Sequence, residues 1–479
     1  MKKNVKVALT MLLTMSTVLA ACGKDNNNGN SSPAASPSST TPAASPSASE
    51  SVPASEPAKV EPFTVSLRHT QIGEPRKFRK AILDTVVKNT EAEVPGLKFE
   101  LDGVEDNVNR FTKLPAEMAA GKPPKVFDIF GGEADALKYA KAGRLLDLTP
   151  IIEKLGIKDQ FNGGSLDQFT LDGKVYGLPI GGGMEGLFYN TEIFKNNGLN
   201  PPTTWDDLIK AADTLKAKGI TPFAEGTQAG WVPNEIVNTL IGRHLTANFP
   251  GGFSSGAIKW NQPEVVAAYT VLNDWIKKDY FTKGSLGKTY DEMLNDFIAG
   301  KAGMMFDGNW RASAFKEGVD DKGKPAVGAA LIGKVAFVAL PAIPNAAGDQ
   351  TSINANYSNG YGFSSDLNEN ELKAVEAFIK NLYNPEMQLR GLLEDSVLPS
   401  MKLSEEQLAQ VKDPILKQII DAMASAKSSY PHFDSAVAKA VNTETETQVQ
   451  KLFAGKTTPQ AAADAIQKVQ EKENATAAK

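Results

Sequence analysis

The sequence predicts an α/β protein of two lobes, each a mostly parallel sheet flanked by helices, and three observations lead there. From about Phe63 onward, short β-type runs alternate with amphipathic helical stretches, the order that builds parallel sheets with helical crossovers. About 415 residues follow that point, too many for one hydrophobic core, so two are expected. Hydrophobic residues make up 41% of the chain, ample for filling both.

The N-terminal stretch reads as targeting and tether. Lys2, Lys3 and Lys6 open an apolar run, "VALTMLLTMSTVLAA", that ends in small residues, the layout of an export signal. The run is shorter than the roughly 20 residues a membrane helix needs, and polar Asn and Gly follow it. Cys22 comes next and is the only cysteine, so no disulfide can form within the chain. "LAAC" resembles the lipobox of bacterial lipoproteins, in which the cysteine sulfur receives a diacylglycerol and becomes the mature first residue. By that resemblance residues 1–21 are a signal peptide and Cys22 carries acyl chains of the palmitate kind, two of which make a stable tether where one does not. Residues 31–58 are Ser, Thr, Pro or Ala except for Glu50, Val52 and Glu56, so residues 22–60 are expected to be a disordered linker. Its reach, on the order of 100 Å where Pro-rich, suits a lipid anchor on the outer face of a Gram-positive-type cell membrane.

The globular elements follow in order. "FTVSLRHT" reads as a buried strand, "RKFRKAILDTVVKNTEAE" as an amphipathic helix, "LKFELDG" as a strand, "VNRFTKLPAEMAAG" as a helix stopped by Gly121, and "KVFDIFGG" as the next strand. Further on, Trp205, Leu208, Ile209, Ala212 and Leu215 recur at helical spacing between the start signal Thr203/Thr204 and the stop at Gly219. Ligands of such sheets bind beyond the carboxyl ends of strands, so strand ends are where site residues are sought.

One motif is tempting and lacks its context. "GGGMEG" sets Gly181, Gly183 and Gly186 in a G-x-G-x-x-G pattern with Asp206 about twenty residues on. A dinucleotide site needs a helix straight after the glycines, whereas "LFYN" is strand-like. The glycines are expected to form a flexible backbone crossing with unusual dihedrals and close approach.

"DGKVYGLPIGGGMEGLFYNTEIFKNNGLNPPTTWDDLIKAADTLKAKG" resembles the signature stretch of family 1 extracellular solute-binding proteins, the maltose-binding-protein-like receptors of bacterial ABC sugar importers. "KYAKAGRLLDLTP", "MLNDFIAGKAGMMFDGNW", "ALPAIP" and "LFAGKTTPQAAADAIQKVQ" match in the same order. The resemblance implies a two-lobed periplasmic-binding-protein-like fold, lobes joined by several crossings, closing on a solute without reaction. It implies an N-terminal lobe of residues 61–184 and 356–398, and a C-terminal lobe of 185–355 and 399–479. The ligand it implies is a carbohydrate, an oligosaccharide, and the partners are permease subunits of the transporter, with the receptor a monomer.

Site residues follow at strand ends. Glu185 matches a position where the family places a carboxylate that accepts from sugar hydroxyls, with a solvated turn carboxylate as the plain alternative. Trp310 closes "AGMMF" and opens "RASAFKEG", where the family sets an aromatic platform; a flat indole can cover the C–H face of a sugar with its N–H free to donate. Asp307 and Asn309 flank that turn and either bind hydroxyls or cap the next helix. Trp231 lies in a Gly-rich loop, which favours a contact surface. Trp205 and Trp275 on helices, and Trp260, are expected in the core. His69, Thr70 and Gln71 after the first strand and Glu133 after "DIFGG" complete the candidate set on the N-terminal lobe. "SSYPHFDSAVAKAV" departs from the family pattern in lacking a tryptophan, so Tyr430 or Phe433 must serve as second platform.

Several function classes lose support. Removing the signal's three lysines leaves 48 basic residues against 56 acidic, a formal charge of −8 with no basic run, which argues against nucleic acid. His69, His244 and His432 are scattered, so neither a metal site nor a cofactor is expected. The rivals are a tethered glycoside hydrolase using Glu185 and Asp307 as paired carboxylates, a surface adhesin or sensor without a deep cleft, and a receptor for a non-sugar solute.

Overall fold

The computed structural model describes residues 61–73, 76–245, 249–318 and 323–477; the signal, Cys22 and the linker lie outside these. The protein has two lobes, each built on its own sheet. The first sheet runs in the order Leu97–Gly103, Phe63–His69, Val126–Phe130, Asn359–Phe363, Leu178–Pro179. Its first three strands are parallel, and Asn359–Phe363 is antiparallel to both neighbours. The helix Lys77–Glu93 covers it with Ile82, Leu83, Val86, Val87 and Thr90, a single stripe of the helical repeat. Against this stripe pack Val65, Leu67 and the helix Glu369–Leu382, whose start is fixed by a capping box of Asn368 and Glu371.

The expected helix before Gly121 is interrupted. Asp106–Val108 passes into a π-turn, Asn109–Lys113, before the regular helix Leu114–Ala120, and Gly121 ends it at φ +71°. Pro115 has no N–H to give and its ring crowds the carbonyl four residues back, so the coil widens just before it. The widened turn buries Asn109 and Arg110.

The second sheet is mixed. Its central strand, Gly181–Asn190, is antiparallel to Ala302–Gly308, Val335–Val338, Ile353–Asn356 and Leu398–Pro399, and only the outer pairs, Thr221–Ala224 with Ala302–Gly308 and Ile353–Asn356 with Ser429–Tyr430, are parallel. This corrects the expectation of mostly parallel sheets: Ile180 alone separates the two sheets along the chain, so the central strand enters from the neighbouring lobe instead of through a helical crossover. The glycine run is therefore a strand. None of Gly181, Gly182, Gly183 or Gly186 has positive φ, which corrects the expected unusual dihedrals, whereas close approach holds: a Cβ at Gly181 would sit 2.1 Å from Val397 and one at Gly186 2.3 Å from Phe337. Where the lobes join, Gly181 and Gly182 pair with Pro399 and Leu398, and Gly183 and Met184 with Asn356 and Ala355, so three passes of the chain share one ladder.

The rest of the second lobe follows its sequence pattern. Thr204 caps the helix Trp205–Ala217 by accepting from the Asp207 N–H, and Gly219 turns the chain at φ +76°. Trp275 and Trp260 are buried, and Trp205 stacks on Trp275 at 5.7 Å. No described helix is long and apolar enough to cross a membrane.

Candidate functional site

A cleft of about 800 Å³ opens between the two sheets. Arg110, Phe111 and Phe130 line it from the first lobe, and Trp231, Tyr290 and Trp310 from the second, with Gly181–Gly183 of the shared ladder at its base. Its walls also meet: at the cleft Arg110 pairs with Asp434 at 3.0 Å, and outside its lining a Cβ at Gly132 would sit 1.8 Å from the Ser435 carbonyl oxygen.

Trp310 is half-buried at the start of a 3-10 helix, Asn309–Phe315, that stands where a longer helix was expected. Asn309 pins this turn: its Oδ1 accepts from the Met184 N–H at 2.7 Å and its Nδ2 donates to the Ser396 carbonyl at 2.7 Å. The indole lies against bare backbone, since a Cβ at Gly308 would be 2.2 Å from its ring and one at Gly183 2.9 Å. Its N–H, expected from the sequence to be free, instead donates to the Tyr290 hydroxyl at 2.7 Å, which donates in turn to Asp307 Oδ1 at 2.7 Å. Asp307 is fully buried and does not line the cleft; Arg311 Nε donates to its Oδ2 at 3.0 Å, and the Arg311 guanidinium lies 3.7 Å from the Tyr290 ring centre. This chain of hydrogen bonds fixes the half-buried indole where it lines the cleft. Trp231, edge-on to Tyr290 at 4.7 Å, extends the aromatic shelf.

Glu185 lies on the central strand at the cleft floor, 5% exposed, with its Oε1 2.9 Å from His432 Nδ1; Asn354 Nδ2 donates to its other oxygen. Burial pushes the Glu185 carboxyl above its ordinary value, against the pull of His432. Burial works the other way on His432, but the Glu185 and Asp434 carboxylates outweigh it and its pKa is raised. The two groups stand 247 residues apart in the chain, and both line the cleft.

The helix Trp231–His244 adds residues that no strand-end rule finds. Trp231 is its first residue, not part of a loop, and Trp231, Asn234, Glu235 and Asn238 fall on one face at spacings of three and four. Ile236, Val237, Leu240 and Ile241 fill the opposite side, so the polar stripe is buried against the cleft. A polar stripe at helical period inside an otherwise apolar helix is the signal that could have found it. Glu235 is 5% exposed, and neither carboxylate oxygen has a hydrogen-bond partner. Burial first, then Asp307, Glu185 and Glu225, push its carboxyl well up, with Arg311 opposing. Glu225 beneath it is pushed up to about 8 by burial and by Asp307, against the Gly226 N–H that favours its charged form.

The remaining sequence candidates point elsewhere. Thr70 and Gln71 are buried and donate to Asp128 Oδ2, Thr70 N at 2.6 Å and Gln71 Nε2 at 3.1 Å. His69 is buried and accepts from the Gln71 N–H. Glu133 faces solvent and pairs with Lys141 at 2.8 Å. These four are turned away from the cleft because the first strand's end dips into the lobe to meet Asp128, while the loop after Phe130 carries Glu133 outward. Phe433 reaches the cleft rim, but its ring is 2% exposed and packs edge-on against Trp260 at 5.2 Å; Tyr430 is buried with its hydroxyl on the Thr239 carbonyl. Neither is a platform. Among the described residues no group of three His, Cys, Asp or Glu has metal-binding geometry.

Residues 74–389 match the family model described as bacterial extracellular solute-binding protein. A multiple sugar-binding protein of Streptococcus mutans is 27% identical over 251 residues, 50% of this chain and 57% of that protein. The chain spans about half the length of the curated relatives it matches. Among solved structures, a chitin oligosaccharide binding protein is 44% identical with TM-score 0.78, over 86% of this chain and all (100%) of that one. A structure from work on xylan utilisation by Caldanaerobius polysaccharolyticus is 26% identical with TM-score 0.74, over 85% of this chain and 100% of that one.

Proposed function

Because the chain belongs to the bacterial extracellular solute-binding protein family, we propose that it is the substrate-capturing component of an ABC importer whose ligand is an oligosaccharide. The observation that carries this reading is the pairing, in one cleft between two lobes, of an aromatic shelf with a row of buried polar atoms that lack partners. A sugar ring matches both at once, with C–H groups on its face and hydroxyls on its rim. The cleft's volume falls in the usual range for small-ligand sites. Chitin oligosaccharide, named for the 44% identical structure, is the first ligand to test.

Glu185, Trp310, Trp231 and Asn309 are the ligand-contacting residues of this reading, and Asp307 positions Trp310 through Tyr290. Both lobes grip the ligand, so binding favours the closed arrangement by whatever affinity it adds to that state. All three chain changeovers, at 184/185, 355/356 and 398/399, lie in the shared ladder, which supports dividing the lobes there. Cys22 carries the lipid that holds the receptor at the outer membrane face, and membrane-embedded permease subunits receive the ligand. Hydrolysis by Glu185 and Asp307 is disfavoured, because Asp307 does not line the cleft and Tyr290 and Arg311 occupy its two oxygens.

A thermal-shift screen of the protein against mono- and oligosaccharides, with chromatography of each mixture, tests this reading. We expect an oligosaccharide to raise the melting temperature and emerge intact. A shift with non-sugar solutes only, or cleaved sugar, would overturn it.

A further inference from the structure

The second-lobe wall of the cleft is rich in hydrogen-bond acceptors. Oδ1 of Asn234, Asn238 and Asn442, Oδ1 of Asp434 and both carboxylate oxygens of Glu235 are buried without a partner. The amide orientations are fixed by what the nitrogens touch. Asn238 Nδ2 donates to the Pro431 carbonyl at 3.5 Å, and Asn442 Nδ2 to Glu446 Oε1 at 2.9 Å. Asn234 Nδ2 donates to Thr445 Oγ1, whose own proton goes to the Asn442 carbonyl. Turning any of these amides round would set oxygen against oxygen. Among the described lining side chains, the nitrogens without a hydrogen-bond partner are Arg110 Nε, Arg311 Nη2 and His432 Nδ1, the last lying 2.9 Å from Glu185 Oε1.

Charge is lopsided in the same sense. Glu235 faces Asp307 and Glu185 on the sheet and Glu225 at the end of Thr221–Ala224, with Tyr290 and Arg311 beside it and Glu446 on the neighbouring helix Lys439–Phe453. Arg311 is already held by Asp307, and His432 by Glu185. Arg311 is the cation among these groups, but its Nε is committed to Asp307, and among the described residues Glu235 has no paired cation.

We propose that the ligand supplies it: the sugar unit seated against Glu235 carries a free amino group, so the receptor selects wholly or partly de-N-acetylated amino-sugar oligomers over acetylated and neutral ones. This rests on the carbohydrate reading above and specifies its ligand. An ammonium offers three N–H donors and no acceptor, which the Glu235 carboxylate and the Asn234 and Asn238 oxygens can take up. An acetamido group offers one N–H where an ammonium offers three, so it leaves more of these oxygens unpaired. In the empty cleft, burial and the surrounding carboxylates push the Glu235 carboxyl well up, which favours its neutral form. An ammonium ligand docking there takes the carboxylate as partner, and the acid's proton leaves to solvent. Binding therefore releases one proton and tightens as pH rises, until the free amine itself loses its charge.

Calorimetric titration of the full chain with a fully deacetylated glucosamine tetramer and its N-acetylated counterpart, in two buffers of different ionisation enthalpy, tests this. We expect the deacetylated tetramer to bind at least about tenfold tighter with release of one proton. Glu235→Gln keeps the shape of the neutral acid and should abolish both the preference and the proton release. Glu225→Gln, which removes a buried acid that does not line the cleft, should retain the preference and controls for folding. Equal or tighter binding of the acetylated tetramer, or a preference that survives Glu235→Gln, overturns the proposal and leaves an oligosaccharide receptor standing. If no saccharide binds at all, the carbohydrate ligand falls with it.

Discussion

Replacing Trp310 with alanine should weaken oligosaccharide binding without unfolding the protein. One side of the indole rests on Gly183 and Gly308, its N–H is given to Tyr290, and the ring lines the cleft. Covering a sugar face with that ring buries on the order of 50 to 80 Å² of apolar surface, worth about 1 to 2 kcal/mol at about 25 cal/mol per Å². Affinity should fall about 5- to 30-fold, since each 1.4 kcal/mol is about tenfold. Folding stability should drop by only about 1 to 2 kcal/mol, because the ring is half-buried and one hydrogen bond is lost. A tryptophan packed in a core would instead cost about 3 to 5 kcal/mol, with or without ligand. Trp310→Phe keeps a six-membered ring face and removes the pyrrole part of the indole with its N–H, so it should lose much less affinity than the alanine variant, about threefold. Calorimetric titration of the best oligosaccharide and urea unfolding of the empty protein read the two quantities separately. Loss of several kcal/mol with unchanged affinity in the folded fraction would remove Trp310 from the site.

Glu225→Gln should stabilise the empty protein at pH 8.5 and not at pH 4.5. The folded carboxyl is raised above its ordinary value to about 8, so the native state binds the extra proton and stability falls as pH rises from about 4.5 through 8. At about 1.4 kcal/mol per pH unit the ceiling is about 5 kcal/mol, and relaxation with water entry brings the expected gain to about 2 to 4 kcal/mol; equal gains at both pH values in urea unfolding would refute it. Gly132→Ala should open the lobes and weaken binding, because the new Cβ would meet the Ser435 carbonyl across the cleft and alanine strains at φ +86°. Small-angle scattering with saturating sugar should show a larger radius of gyration than the parent; an unchanged profile counts against the contact as a closing surface. Cys22→Ser should shift the protein from membrane to medium, and equal fatty-acid labelling of both forms would count against a lipid anchor.

The sequence by itself determined the local elements and the family. "FTVSLRHT", "LKFELDG" and the helix after Thr204 end within a residue or two of the structural boundaries, because alternation, helical stripes and caps act over neighbouring residues. It also singled out Glu185 and Trp310, and both line the cleft. What it left undecided depends on partners distant in the chain. The glycine run became a strand because Leu398, Pro399, Ala355 and Asn356 pair with it, and nothing within "GGGMEG" encodes those segments. Thr70 and Gln71 turned inward because Asp128 offers an acceptor more than fifty residues on, and Phe433 sank into the core because Trp260 lies beside it. His432 is an unremarked histidine in "SSYPHFD" until the fold sets it against Glu185. A polar side chain is committed by whichever opposite charge or acceptor it meets out of water, and only tertiary structure chooses which that is.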